Sequence, residues 1–418
     1  MNPIEVTYSQ KNIRGILLTF GLTAVYAVLL CPFIIATPKS GLSYAIARTI
    51  QLLSILVWLM LHIKMRHSFK RESWPFVCSI HLWWIVLIVL TFLYVPQKHF
   101  SLINFWLVTW NIILLTNLHK YFCYDRLLSA LNILLSGLIY LSAILFILYP
   151  SGLWQENDWA GFGDNTRHLF GNYNQTGIVA LMALLVSGNY TMQTGRGRTN
   201  MFLLTLTSIA MVIAMGSMTS TMGLIIIIAY FYLRRFIRHP FAWISVFVCL
   251  YITFFFLVVW NGISIDKWPA IAQFVENVLG KDLTFTARVY LWKDSVELIQ
   301  AHPLTGYGVQ GVEWMADHIH GSGPHNIWLM MLLEGGIILC SLFIIITTSV
   351  FAAAYKRHNS QSAYATICVC AMLLMSLFET YHFICLFTIL IIAYYTCITM
   401  PDRCLQTTST TERKTKES

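Results

Sequence analysis

Charge is what this chain has least of. Asp, Glu, Lys and Arg make up 11% of its 418 residues, while 57% are hydrophobic. A soluble domain carries about a quarter of its residues as charges. So little charge excludes a soluble globular domain. It also excludes a nucleic-acid partner, although the formal net charge is +9. Cysteine is missing where disulfides would be useful: none of the ten falls within 150–173 or 262–325, the two long polar stretches. No set of His and Cys has metal-ligand spacing, so no metal and no cofactor is expected. No internal repeat is visible, which disfavours repeat-built transporters. The opening MNPIEVTYSQKNIRG is polar, and no small-residue cleavage site follows the first apolar run. That run therefore reads as a retained span rather than a signal peptide.

Long apolar runs dominate what is there. A bilayer core takes about 20 apolar residues per helix. Roughly twelve such runs occur, near 15–36, 43–63, 75–95, 100–118, 127–149, 174–190, 200–216, 220–234, 241–261, 326–352, 361–378 and 381–399. The expected fold is an all-α polytopic membrane protein, with residues 1–402 as a single transmembrane domain. Basic clusters alternate between loops: Lys64 to Arg71, Lys120 and Arg126, Arg196 and Arg198, Arg234 to Arg238, Lys356 and Arg357. By the positive-inside rule these face the cytoplasm, as do both termini. The Thr- and Lys-rich residues 403–418 read as a disordered cytoplasmic tail. Segments 150–173 and 262–325 then face outward. In the second, Val289, Trp292, Val296 and Ile299 recur at helical spacing. They predict an amphipathic helix lying on the membrane surface and ended by Pro303.

Polar residues where lipid should be carry the functional information. Three groups lie at the outer face. In GNYNQTG, Asn172 and Asn174 precede a span; one asparagine serves as a helix cap, and two with Gln175 exceed that need. In ARVYLW, Arg288 opens the amphipathic helix. It either anchors that helix to headgroups or presents a guanidinium to a diphosphate, which it grips in bidentate fashion. In SGPHNIWLMMLLEGG, His325 and Asn326 stand at the start of a long span. There Asn326 can cap the helix. Alternatively, free backbone N–H groups and the positive dipole end attract a phosphate and disfavour protonated imidazole, leaving His325 able to act as a base. Arg48 near a span end, Glu334 within a span, and Glu379 with His382 in the last outer turn are further candidates.

Together these stretches resemble the O-antigen ligase family, which also holds repeat-unit polymerases of surface polysaccharides. His325 and Asn326 followed by Gly336 fit its His-Asn signature. ARVYLW with HPLTGYG resembles its arginine helix and Pro-x-x-Gly-x-Gly segment, and GNYNQTG its Asn-x-Asn motif. The similarity covers roughly 170–340. It implies a GT-C-like membrane enzyme at the outer leaflet of the bacterial inner membrane. Such enzymes move a glycan from an undecaprenyl diphosphate carrier to an acceptor hydroxyl without a metal. The acceptor is lipid A core for a ligase and a second lipid-linked glycan for a polymerase. His325 would be the catalytic base and Arg288 a diphosphate ligand, with Asn172, Asn174 and Asn326 shaping the site. One departure is visible: where many relatives carry a second arginine, this chain has GSMTSTMGL with Thr221. Arg48 or Arg167 is a substitute candidate. A protein-directed oligosaccharyltransferase and a lipid-linked-sugar flippase remain as alternatives.

Overall fold

Backbone in hydrocarbon must satisfy its own N–H and C=O groups, so apolar runs of membrane length fold as helices. The computed structural model describes residues 3–36, 46, 49–50, 73–95, 99–116, 124–155, 166–261 and 288–399, and within these the protein is almost wholly helical. The helices are α1 (Pro3–Ile34), α2 (Trp74–Tyr94), α3 (His99–Thr116), α4 (Tyr124–Leu148), α5 (Tyr173–Thr194), α6 (Arg198–Ala214) and α7 (Met218–Leu233). They continue with α8 (Pro240–Phe254), extended by a π-helical turn Phe255–Trp260, then α9 (Arg288–Ala301), α10 (Val312–Ile319), α11 (Ile327–Arg357), α12 (Ser360–Ser376) and α13 (Phe383–Ile398). A small antiparallel hairpin pairs β1 (Trp154–Gln155) with β2 (Thr166–Arg167).

Among the described residues five helical stretches are long and apolar enough to cross a membrane: Gly15–Ile34, Trp74–Tyr94, Tyr124–Leu148, Pro240–Trp260 and Ile327–Arg357. Five more apolar helices are shorter, including Arg198–Ala214, Ser360–Ser376 and Phe383–Ile398. The protein is thus an all-α membrane protein. All of the expected run 43–63 except residues 46, 49 and 50, the acidic residues 156–164, the loop part 262–287 and the tail 403–418 lie outside the described residues.

Helix α5 is the central pillar. It packs against α4, α6, α7, α12 and α13, and its residues from Asn174 to Asn189 are all buried. A helix sheathed by other helices need not be oily enough for lipid. That accounts for its small and polar content, such as Gly177, Ser187, Gly188 and Asn189.

Two findings differ from what the sequence suggested. The amphipathic pattern on α9 is real, but its apolar face does not rest on lipid. Trp292, Val296 and Ile299 pack with Val259 of the π turn and with Leu329, Leu332 and Leu333 of α11. A stripe of period 3.6 says only that one face is buried, and here protein covers it. The long run 326–352, in turn, is not one straight helix. Gly336 has φ 62 and ψ −159, so α11 is two helical pieces joined at a break.

The HPLTGYG segment fills that break. The Tyr307 N–H donates to the Leu333 carbonyl at 2.7 Å and the Gly308 N–H to the Glu334 carbonyl at 3.0 Å. In return the Ile337 N–H donates to the Pro303 carbonyl at 2.9 Å. The groups freed by breaking the helix are met by the inserted loop, as buried backbone requires. The fit leaves no room for side chains. A Cβ on Gly336 would lie 2.2 Å from the Leu304 carbonyl carbon, and one on Gly306 would lie 2.3 Å from the Leu333 oxygen. On its other side the loop ties to α2 through Val309 N–H to Thr91 Oγ1 and Tyr94 to Thr305, both at 3.1 Å.

Candidate active site

The first piece of α11 is a short helix clamped at both ends. At its C-terminal end stands the inserted loop. At its start Asn326 is the N-cap: its Oδ1 accepts from the N–H groups of Trp328 at 2.9 Å and Leu329 at 3.1 Å. Its Nδ2 donates to the Leu377 carbonyl at 3.0 Å. Asn326 therefore both caps the helix and fastens it to the turn Leu377–His382 between α12 and α13. Two of the N–H groups expected to be open for a phosphate are consumed by this cap.

His325 stands just before the cap. Its φ of 47 is left-handed, uncommon outside glycine and enriched at functional sites. The Trp292 Nε1–H donates to the Pro324 carbonyl at 3.0 Å, which ties α9 to the residue preceding His325. Trp292 lies one turn after Arg288, on the same helical face. The tie that holds the histidine loop thus also places the arginine.

Both side chains converge on Glu379. His325 Nδ1 lies 2.8 Å from Glu379 Oε1, and Arg288 Nη2 lies 3.4 Å from Oε2. The carboxylate also accepts from the Thr380 N–H at 3.2 Å and from Asn174 Nδ2. Four partners meet one buried charge, which is what a buried carboxylate needs. Burial alone would push the Glu379 carboxyl up. The charge and hydrogen bond of His325, the Arg288 charge and the Thr380 N–H outweigh it and hold the carboxyl below its ordinary value. Exposure divides the roles: the Glu379 side chain is 4% exposed, Arg288 18% and His325 32%. A ligand can meet the histidine and the arginine, while the carboxylate stays behind them. With Nδ1 turned to the carboxylate, Nε2 is the ring nitrogen that this contact does not use.

Structure separates the two asparagines. Asn172 is the N-cap of α5, its Oδ1 accepting from the Gln175 N–H at 3.0 Å. Asn174 enters the cluster: it donates to Glu379 and accepts from the Ser217 hydroxyl at 2.7 Å. Ser217 in turn lies 2.7 Å from Ser220. Gln175 donates to the Thr380 carbonyl at 3.1 Å, bracing the same turn. Thr221, where a second arginine was sought, donates within its own helix to the Ser217 carbonyl at 2.9 Å. Arg167 sits in β2 opposite Trp154, and Arg48 lies outside the described residues. His318 and His320 are exposed, bonded to the Trp314 carbonyl and to Asp294.

The cluster therefore joins His325, Arg288 and Asn174 around Glu379. Each is drawn from a different stretch of chain, and all lie at one end of the bundle; Lys356 and Arg357 mark the other end of α11. Residues 203–344 match the O-antigen ligase family. The resemblance carried by the His-Asn and arginine-helix motifs is thus shown over that segment. No curated protein matches the chain. The O-antigen ligase domain includes Arg288, His325 and Asn326, whereas Asn174 and Glu379 lie outside it. Glu379 was visible in sequence only as one acid in an outer turn between two very apolar helices. The domain points to glycan transfer at a membrane by an enzyme of ligase or polymerase type.

Proposed function

We propose that the protein transfers a glycan from undecaprenyl diphosphate to a sugar hydroxyl at the outer face of the bacterial inner membrane. It does so as an O-antigen ligase or a repeat-unit polymerase. The observation that carries this is the placement of His325 and Arg288 on two sides of one buried carboxylate, inside and beside an O-antigen ligase domain. His325 Nε2 takes the proton of the acceptor hydroxyl. The acceptor oxygen bonds to the anomeric carbon from the face opposite the carrier, and configuration inverts. The bond from that carbon to the diphosphate oxygen breaks, and its electron pair leaves on the polyprenyl diphosphate. Diphosphate is already a good leaving group, so positioning and charge stabilisation by Arg288 supply most of what the step needs, without a metal. The shorter apolar helices complete a GT-C-like bundle of about twelve spans, the count given by hydropathy.

The test is the glycan ladder in cells carrying His325→Ala. Loss of product with normal protein level supports the base; a wild-type ladder sinks it. Deletion separates the acceptors. Without a ligase, long chains stay on the carrier; without a polymerase, only single capped repeats reach the surface.

A further inference from the structure

Glu379 is shared between the residue assigned to the donor and the residue assigned to the acceptor. This matters because a guanidinium paired with a carboxylate is not free to bind a diphosphate. We infer that Glu379 couples the two half-sites: a diphosphate arriving at Arg288 displaces Glu379 from it, and the carboxylate then acts on His325 alone. This rests on the proposed roles of His325 and Arg288, and it adds a positioning residue that neither motif contains.

The geometry favours exchange. Arg288 reaches Glu379 by one nitrogen at 3.4 Å, a long single contact rather than a bidentate fork. A diphosphate offers several charged oxygens and a forked grip, so it competes well for the same guanidinium. Glu379 does not have to move when Arg288 leaves. Oε2 keeps Asn174, and Oε1 keeps the Thr380 N–H and His325. The carboxylate then holds His325 Nδ1 without sharing its charge with the guanidinium, and Nε2 stays the acceptor for the hydroxyl proton. Donor binding thereby readies the base, and with no donor the base stays held back. That order suits an enzyme whose acceptor hydroxyl is surrounded by water. The carboxylate is too buried to meet the substrate itself, so its influence passes through the two residues in front of it.

The probe is inorganic pyrophosphate, titrated calorimetrically into the full-length protein in detergent micelles. Glu379→Gln keeps the shape and removes the charge. It is expected to tighten pyrophosphate binding by about tenfold while lowering glycan transfer, because the competitor for Arg288 is gone. A merely structural glutamate would weaken both. Arg288→Gln is expected to lose the binding. Glu379→Asp keeps the charge but draws it back from Arg288, and is expected to tighten pyrophosphate binding by a smaller factor. Unchanged or weaker pyrophosphate binding in Glu379→Gln overturns the coupling, and so does unchanged or weaker binding in Glu379→Asp. If Glu379→Gln fails to fold, Glu379→Asp decides alone. Failure of the parent proposal looks different: His325→Ala would then make normal glycan, whatever the calorimetry shows.

Discussion

His325 Nδ1 and Glu379 Oε1 lie 2.8 Å apart although 54 residues of chain separate them. Three helices' worth of packing is spent on that contact: the cap from Asn326 to the Leu377 carbonyl, the Trp292 bond to Pro324, and the clamp at Gly336. The pair gives a histidine a fixed ring orientation, with Nε2 facing away from the carboxylate.

Acid sensitivity should follow from Glu379. Its folded pKa is lowered, so the stability it contributes is present above the unfolded value of about 4.3 and is lost as pH falls through the folded value. Thermal midpoints of the purified protein should fall on acidification below about pH 4.3. Glu379→Gln should flatten that part of the profile. Parallel curves for the two proteins would refute the assignment.

The two asparagines should behave differently. Asn172→Ala removes a helix cap and should cost about 1 kcal/mol of stability. Asn174→Ala removes a donor from the Glu379 carboxylate, leaving a buried charge short of one partner, and should reduce transfer more than it reduces the thermal midpoint. Side-by-side melting and glycan-ladder measurements distinguish them. Equal ratios of activity loss to stability loss would show that both are only structural.

Gly336→Ala should be severe. The residue has φ 62, and an added Cβ would meet the Leu304 carbonyl at 2.2 Å. With ψ −159 the backbone lies in a region open essentially only to glycine, so strain contributes about 1–3 kcal/mol, and displacement of the HPLTGYG loop adds to it. Both the thermal midpoint and transfer should drop. A variant that melts like the wild type would mean the loop is not clamped as described.

Trp292→Phe tests the tie between the arginine and histidine loops. It keeps an aromatic ring in the cluster with Leu329 and Leu333 but loses the hydrogen bond to Pro324. A loss of about 1 kcal/mol in stability is expected, together with a lower turnover number and little change in the Michaelis constant for donor. A change confined to donor affinity would instead tie Trp292 to Arg288 alone.

Much of this was legible in the residues themselves. Apolar runs identified the helices, the period of Val289, Trp292, Val296 and Ile299 identified α9, and His325, Asn326 and Arg288 pointed to the family that residues 203–344 match. What covers the apolar face of α9 was not legible, because a hydrophobic stripe is the same whether lipid or leucine lies against it. The asparagines could not be separated either, since a cap and a buried donor two residues apart share one composition.

The sequence by itself determined a helical membrane protein and pointed to the residues now proposed for its chemistry, because hydropathy and residue type are local properties. Only the tertiary structure decided that Glu379 is the centre. A lone acid in a turn says nothing of its partners until α5, α9, α11 and the α12–α13 turn bring Asn174, Arg288 and His325 onto one carboxylate. Burying that charge is costly, and only packing that delivers all of its partners together makes it tolerable.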